Sequence, residues 1–187
     1  MKQLLNVARM GHPILRRKAR PVDPSVLEGS EFQDFIDSMY MTMLEYDGVG
    51  LAAPQVHQGL RLVVLHEDAG FTDGDGGPLT ALINPEITPL TEDKASMWEG
   101  CLSVPGIRGK VSRPAEVRVK GLDRHGRPLD LNLEGFPAVV IQHECDHLDG
   151  ILFVDRVEDT RELAFEKEFE RWMLPAIEER GEMVDEG

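Results

Sequence analysis

Residues 136–148 read Phe-Pro-Ala-Val-Val-Ile-Gln-His-Glu-Cys-Asp-His-Leu. An apolar run from Phe136 to Ile141 leads directly into a polar pentapeptide, His143 to His147. The pattern predicts a largely buried helix over Val139 to Leu148, stopped by Asp149-Gly150. Residues four apart on a helix share a face, one turn above the other. His143 and His147 can therefore grip one metal ion. Histidines buried without a partner are costly, which favours that reading over two core histidines. Glu144 follows the first histidine and is not needed as a ligand; a carboxylate there can take a proton from metal-bound water. Cys145 falls between the histidines in helical phase and reads as core.

Outward from this helix, Ser30 to Tyr46 predicts another. Phe32, Phe35, Ile36, Met39 and Met43 recur at helical intervals, Ser30 and Gln33 have capping-box spacing, and Asp47-Gly48 ends the pattern. Leu60 to Leu65, Ala81 to Ile87, Ala115 to Gly121 and Leu129 to Leu133 predict short strands, the last two joined by a turn at Asp123 to Gly126. Asp68 to Pro78 reads as a surface loop; Asp73 and Asp75 lack the remaining ligands of a calcium loop. Arg161 to Met173 predicts a polar helix docking through Leu163, Phe169, Trp172 and Met173, and the acidic tail from Glu178 reads as frayed. Helices and strands intersperse without regular β-α-β alternation. The expected fold class is α+β, with largely antiparallel sheets packed around a central metal-binding helix.

The chain has 187 residues, 41% hydrophobic and 29% charged, which suits one catalytic domain over 1–187. The expected division is a motif-bearing core over about 7–155 and a C-terminal helix and tail over about 158–187. Net charge is −14, which opposes specific nucleic-acid binding. No apolar run reaches the length of a membrane span, and the N-terminus lacks the features of a signal peptide. The two cysteines, Cys101 and Cys145, make no disulfide framework, so a reducing cytoplasm is the expected location.

A catalytic metal usually has three protein ligands and an open position. No histidine follows His147. Glu158 and Glu162 are downstream candidates for the third ligand, in a charged stretch that reads as exposed. Cys101 is stronger, because it lies in Trp98-Glu99-Gly100-Cys101-Leu102-Ser103-Val104-Pro105, flanked by glycine and bounded by proline. One thiolate with two imidazoles suits iron(II), zinc or nickel. A third segment, Gly48-Val49-Gly50-Leu51-Ala52-Ala53-Pro54-Gln55, reads by itself as a tight turn with close packing.

Taken in order, these three segments resemble the peptide deformylase family, whose pattern is G-x-G-L-A-A-x-Q, then E-G-C-L-S, then H-E-x-D-H. The opening Met10 to Arg16 is also similar to the family's G-D-P-x-L-R, with His12 replacing the usual aspartate. The resemblance implies a metal-dependent hydrolase that removes formyl from the N-terminal formyl-methionine of newly made proteins. It implies Cys101, His143 and His147 as ligands of one divalent ion, usually Fe(2+), with Zn(2+) or Ni(2+) as substitutes. Glu144 would be the general base, and Gln55 with the Leu102 backbone N–H would hold the oxyanion. Arg113 and Asp146 would brace the helix, and Arg108 would meet the peptide backbone. Gly48, Phe136, Val139 and Val140 would form the methionine pocket, with Val49, Gly50 and Glu99 also touching substrate. The implied partners are N-formyl-methionyl nascent peptides, with ribosome proximity and no membrane. Two rivals are an H-E-x-x-H metallopeptidase, which would leave Cys101 and Gln55 unexplained, and a catalytically silent peptide-binding homologue.

Overall fold

A computed structural model describes residues 2–72 and 77–179, apart from the side chain of Glu178. Asp73, Asp75 and the tail beyond residue 179 lie outside the described residues. Two antiparallel sheets and two main helices make the frame, an α+β fold. Strands β1 (Gly50–Ala52), β2 (Leu62–Leu65), β3 (Ala81–Pro89), β6 (Glu116–Leu122) and β7 (Pro128–Glu134) form a five-stranded sheet in the order β1-β2-β3-β6-β7. Strands β4 (Lys94–Glu99), β5 (Ile107–Pro114) and β8 (Leu163–Phe165) form a second sheet in the order β4-β5-β8.

Helix α1 (Ser30–Glu45) buries Ile36, Met39 and Met43 against the five-stranded sheet, while Phe32 and Phe35 pack at the edge of the same cluster. The expected capping box is not made. Gly29 is the N-cap, and the Gln33 amide instead donates to the Leu27 and Arg124 carbonyls at 2.6 and 2.8 Å. Ser38 and Thr42 are also buried; their hydroxyls accept from Gln3 N–H and Leu5 N–H, fastening the N-terminal segment across the helix.

Helix α2 (Gly135–Leu148) is longer than the periodicity predicts. It begins four residues before Val139 because Pro137 falls in the first turn, where a missing N–H costs nothing. Every residue from Ala138 to Leu148 is buried. The helix touches strands of both sheets, so it has no solvent face and no amphipathic stripe. Polar residues on such a helix must be satisfied internally, which is where the site arises. Gly150 ends it at φ +77°, and a Cβ there would sit 2.8 Å from the Arg16 carbonyl carbon. Glycine is required at 150 for both reasons.

The β6–β7 turn falls at Asp123–Gly126, as the residues suggest. Asp123 accepts from the N–H groups of His125 and Arg127, both at 2.8 Å, and Gly126 takes φ +79°. Strands β1, β4, β5 and β8 are not evident from the pattern. The segment expected as one helix from Arg161 instead begins with a 3-10 turn, passes through β8, and turns helical only at Glu166. Pairing of β8 with β5 overrides the local helical preference there. The C-terminal helix continues with a π turn, Phe169–Met173, and Leu174–Glu179. Phe169 is buried against Trp98, but Trp172 is 64% exposed and does not dock as expected.

Candidate active site

His143 and His147 project from consecutive turns of α2, their ring centroids 5.0 Å apart. Cys101 lies in the turn after β4, and its Sγ is 3.3 Å from His147 Nε2. One ligand atom from each of the three residues lies within 4.8 Å of the others. A thiol and two imidazoles meeting at this range, two of them buried, fit a divalent cation with a cysteine and two histidines as donors. Glu158 pairs with Lys94 at 3.8 Å, away from this cluster, and neither it nor Glu162 joins the set.

The electrostatics fit the same reading. Burial alone would lower the pKa of His143, but hydrogen bonds to Cys101 and Glu99 outweigh it and hold the group well above its ordinary value. Burial lowers His147, and the neighbouring His143 and Arg113 push it further down. The two rings are thus pushed in opposite directions by their buried neighbours, as closely packed titratable groups in a functional site are. Burial also raises the Cys145 thiol, which lies in the apolar core and stays protonated.

Glu99, expected to touch substrate, lines the cavity, but its carboxylate is 1% exposed and both oxygens are engaged internally. Arg113 donates to Oε1 at 2.6 Å and to Oε2 at 2.9 Å, and His143 Nδ1 meets Oε2 at 2.8 Å. A carboxylate on Nδ1 fixes the ring and leaves Nε2 for a ligand role. Burial would raise the Glu99 pKa, but the bonds from Arg113 and His143 bring it down to about 2. Arg113 also donates to Asp146 at 2.7 Å, and Arg156 holds the same carboxylate through two bonds of 2.5 Å. This chain of charges ties α2 to β4 and β5. Arg156 was not singled out in the sequence, where it is one arginine in a charged stretch.

Glu144 is buried and lines a cavity of about 470 Å³ beside the ligand cluster. It fits only because residue 50 is glycine: a Cβ there would lie 2.6 Å from Glu144 Oε1. Gln55 is held by its own oxygen, which accepts from Ala52 N–H at 2.7 Å. Its amide nitrogen is thereby aimed at Ser103 Oγ, 3.3 Å away, and at Cys101 Sγ, 3.6 Å away. The N-terminal segment clamps both loops. Ala8 N–H donates to the Gln55 carbonyl and Met10 N–H to the Ser103 carbonyl, each at 2.7 Å, and Arg9 donates to the Leu102 carbonyl. His12, at the family's aspartate position, still accepts from Ile14 N–H at 3.2 Å.

The cavity is also walled by Gly48, Val49, Gly50, Leu102, Val139 and Val140, with Arg108 at its rim. Phe136 is not brought there. It lines an adjacent depression with Gly48 and Val49, because its position in the first turn of α2 faces the His66–Ala69 loop. Two residues with no motif to announce them, Glu166 and Glu170, complete the wall from the C-terminal segment.

The profile of the family described as Polypeptide deformylase matches residues 4–162. The peptide deformylase of Leptospira biflexa serovar Patoc is 41% identical over 167 residues, covering 88% of this chain and 93% of that protein. That of Halothermothrix orenii is 47% identical over 154 residues, covering 82% and 94%. Among solved structures, a class I type b peptide deformylase from Acinetobacter baumannii with Met-Ala-Ser bound aligns at TM-score 0.75 and 39% identity, covering 84% of this chain and all 100% of that one. A peptide deformylase from Synechococcus elongatus in complex with actinonin aligns at TM-score 0.75 and 37% identity, covering 97% and 91%.

Proposed function

The chain belongs to the polypeptide deformylase family, hydrolases that remove the N-terminal formyl group, and on that premise we propose how its own residues divide the work. Cys101, His143 and His147 hold one divalent cation, iron(II) in the cell, with zinc or nickel as substitutes. The observation that carries this is the convergence of one sulfur and two imidazole donors within 4.8 Å. Such a cation, when bound, keeps a position for water and lowers its pKa towards neutrality.

Glu144 accepts the proton of the attacking water and passes it to the leaving amine, a role that needs a carboxylate at the cavity wall. The Gln55 amide and the Leu102 N–H hydrogen-bond the oxygen of the formyl group as charge develops on it. Internal anchoring of Gln55 Oε1 supports this, since it orients the donor end before substrate arrives. Glu99 orients His143 and is itself held by Arg113, while Arg113 and Asp146 keep α2 in register with the second sheet. Val139 and Val140, with the small Gly48, Val49 and Gly50, receive the methionine side chain, and Arg108 meets the peptide beyond it. The Met-Ala-Ser peptide in the Acinetobacter structure supports a peptide substrate here. A formylated N-terminus on a newly made chain supports a cytoplasmic reaction close to the ribosome. No helix among the described residues is long and apolar enough to cross a membrane.

The test is formate release from formyl-Met-Ala-Ser by anaerobically purified protein, with metal content measured in parallel. We expect one divalent ion per chain, and a Glu144→Ala protein that keeps the ion but is slower by about two to four orders of magnitude. Loss of the ion in Glu144→Ala would overturn the division of roles.

A further inference from the structure

Glu166 and Glu170 reach the active-site cavity from beyond residue 162, where the match to the family profile ends. No motif of the sequence accounts for their place in the wall. The segment that carries them is fixed. In the β5–β8 pairing Arg108 lies opposite Ala164, and Glu166 N–H donates to the Gly106 carbonyl at 3.0 Å. One turn on, Phe169 is 2% exposed and packs on Trp98 with ring centroids 4.9 Å apart. Trp98 immediately precedes Glu99, so the helix is anchored next to the group that orients His143.

The charge of the rim follows from named residues. Apart from Glu99 and Glu144, the carboxylates on the wall are Asp47, Glu166 and Glu170, and the cations are Arg9 and Arg108. Arg108 Nη2 is 3.2 Å from Glu166 Oε1, so those two charges offset each other. Arg9 donates to the Leu102 carbonyl. The rim is left negative on balance, within a chain of net charge −14. Of this set Asp47 and Glu170 are exposed and Glu166 is half-buried; Glu170 stands on the side where the C-terminal helix overhangs the cavity, clear of the Arg108–Glu166 pair. The volume of about 470 Å³ admits more than a formyl-methionine side chain, so residues that follow it come within reach of this rim.

Resting on the deformylase reading, we propose that Glu170 is a specificity residue. It makes this enzyme favour formylated peptides with a basic side chain at one of the two positions after formyl-methionine, and disfavour acidic ones there. A carboxylate near a solvated rim both attracts a lysine or arginine side chain and repels aspartate or glutamate. Each effect is modest, and together they give roughly a tenfold preference at low salt.

The experiment measures kcat/KM for formate release from two peptide pairs, formyl-Met-Lys-Ser against formyl-Met-Glu-Ser and formyl-Met-Ala-Lys against formyl-Met-Ala-Glu. Formyl-Met-Ala-Ser is the neutral reference. Wild type, Glu170→Gln and Glu170→Lys are compared at low and high ionic strength, with melting temperature as the check on fold. We expect a lysine-over-glutamate ratio of roughly ten in wild type for at least one pair. Glu170→Gln and added salt should each bring it towards one, and Glu170→Lys should invert it. The salt arm needs no variant, so it reads the inference even if a substitution disturbs the helix. A ratio near one in wild type, or a ratio that both variants leave unchanged, overturns the inference while formyl-Met-Ala-Ser is still deformylated. Formate from none of the five peptides would instead overturn the deformylase reading beneath it.

Discussion

Replacing Arg113 by methionine removes the one cation that faces two buried carboxylates. Arg113 is 2% exposed, Glu99 1% and Asp146 7%. Breaking a buried ion pair by deleting one partner costs about 3–5 kcal/mol, because the remaining charge is desolvated without compensation. The two carboxylates do not suffer equally. Asp146 keeps both bonds from Arg156, whereas Glu99 loses its fork to the guanidinium and retains only His143. The loss should therefore sit at the lower end, about 3 kcal/mol. For a chain of this size that is a fall of roughly 6–12 °C in melting temperature.

The decisive sample is the double variant Arg113→Met/Glu99→Gln. It removes the stranded charge and keeps the hydrogen-bonding shape, so it should be more stable than Arg113→Met alone by about 1 kcal/mol or more. Arg113→Lys should fall between wild type and methionine, since an ammonium keeps the charge but cannot fork onto one carboxylate while reaching the other. Urea unfolding followed by circular dichroism measures all four proteins. The same free metal concentration is needed in each, because an ion bound only to the folded state adds to the measured stability. A loss below about 1 kcal/mol in Arg113→Met, or a double variant no better than the single one, would refute the account of Glu99 as a buried charge held by Arg113.

Three further outcomes are expected. Gly50→Ala would put a Cβ 2.6 Å from Glu144 Oε1, and the flexible glutamate must swing away. Formate release should then fall by about a hundredfold or more with metal content intact, and a change within a few-fold would mean Glu144 is not placed by this contact. Cys101→Ala should lose the ion in elemental analysis while Cys145→Ala keeps it, because Cys145 lies in the apolar core and equal loss from both would contradict the ligand set. Asp123→Ala should cost about 1–3 kcal/mol at neutral pH by stranding the turn's N–H groups. Burial would raise the Asp123 carboxyl, but its bonds to Arg127 and His125 hold it below its ordinary 3.8. Its contribution is then fully present above that value and lost as pH falls through the lower folded one, so the gap between wild type and variant should close only in acid. A gap that widened below pH about 4 would have the wrong sign.

What could be read ahead of the structure divides along the range of the interactions involved. Helix α1, most of α2 and strands β2, β3, β6 and β7 carry their own periodicity or apolar density, so burial of each is written locally. His143, Glu144 and His147 were legible for the same reason, since helix geometry alone stacks residues four apart. Strand β1 is only three residues, Gly50-Leu51-Ala52, and looks like a turn until β2 pairs with it. Strand β5 alternates, but its buried positions are Gly109, Val111 and Arg113, and β4 is buried in succession from Met97 to Glu99, so neither gives a clear period-two apolar signal. Strand β8 exists only because β5, more than fifty residues earlier, offers it an edge. The placement of Glu99 follows the same logic. Nothing within its own segment distinguishes a carboxylate that faces a peptide from one that turns inward. Only the meeting of β4, β5 and α2 sets Arg113 and His143 around it. Glu166 and Glu170 are harder still, because a polar helix beyond the motifs reads as solvated surface. Their place in the wall depends on β8 carrying the chain back across the cavity, a contact that tertiary structure makes and local sequence does not announce.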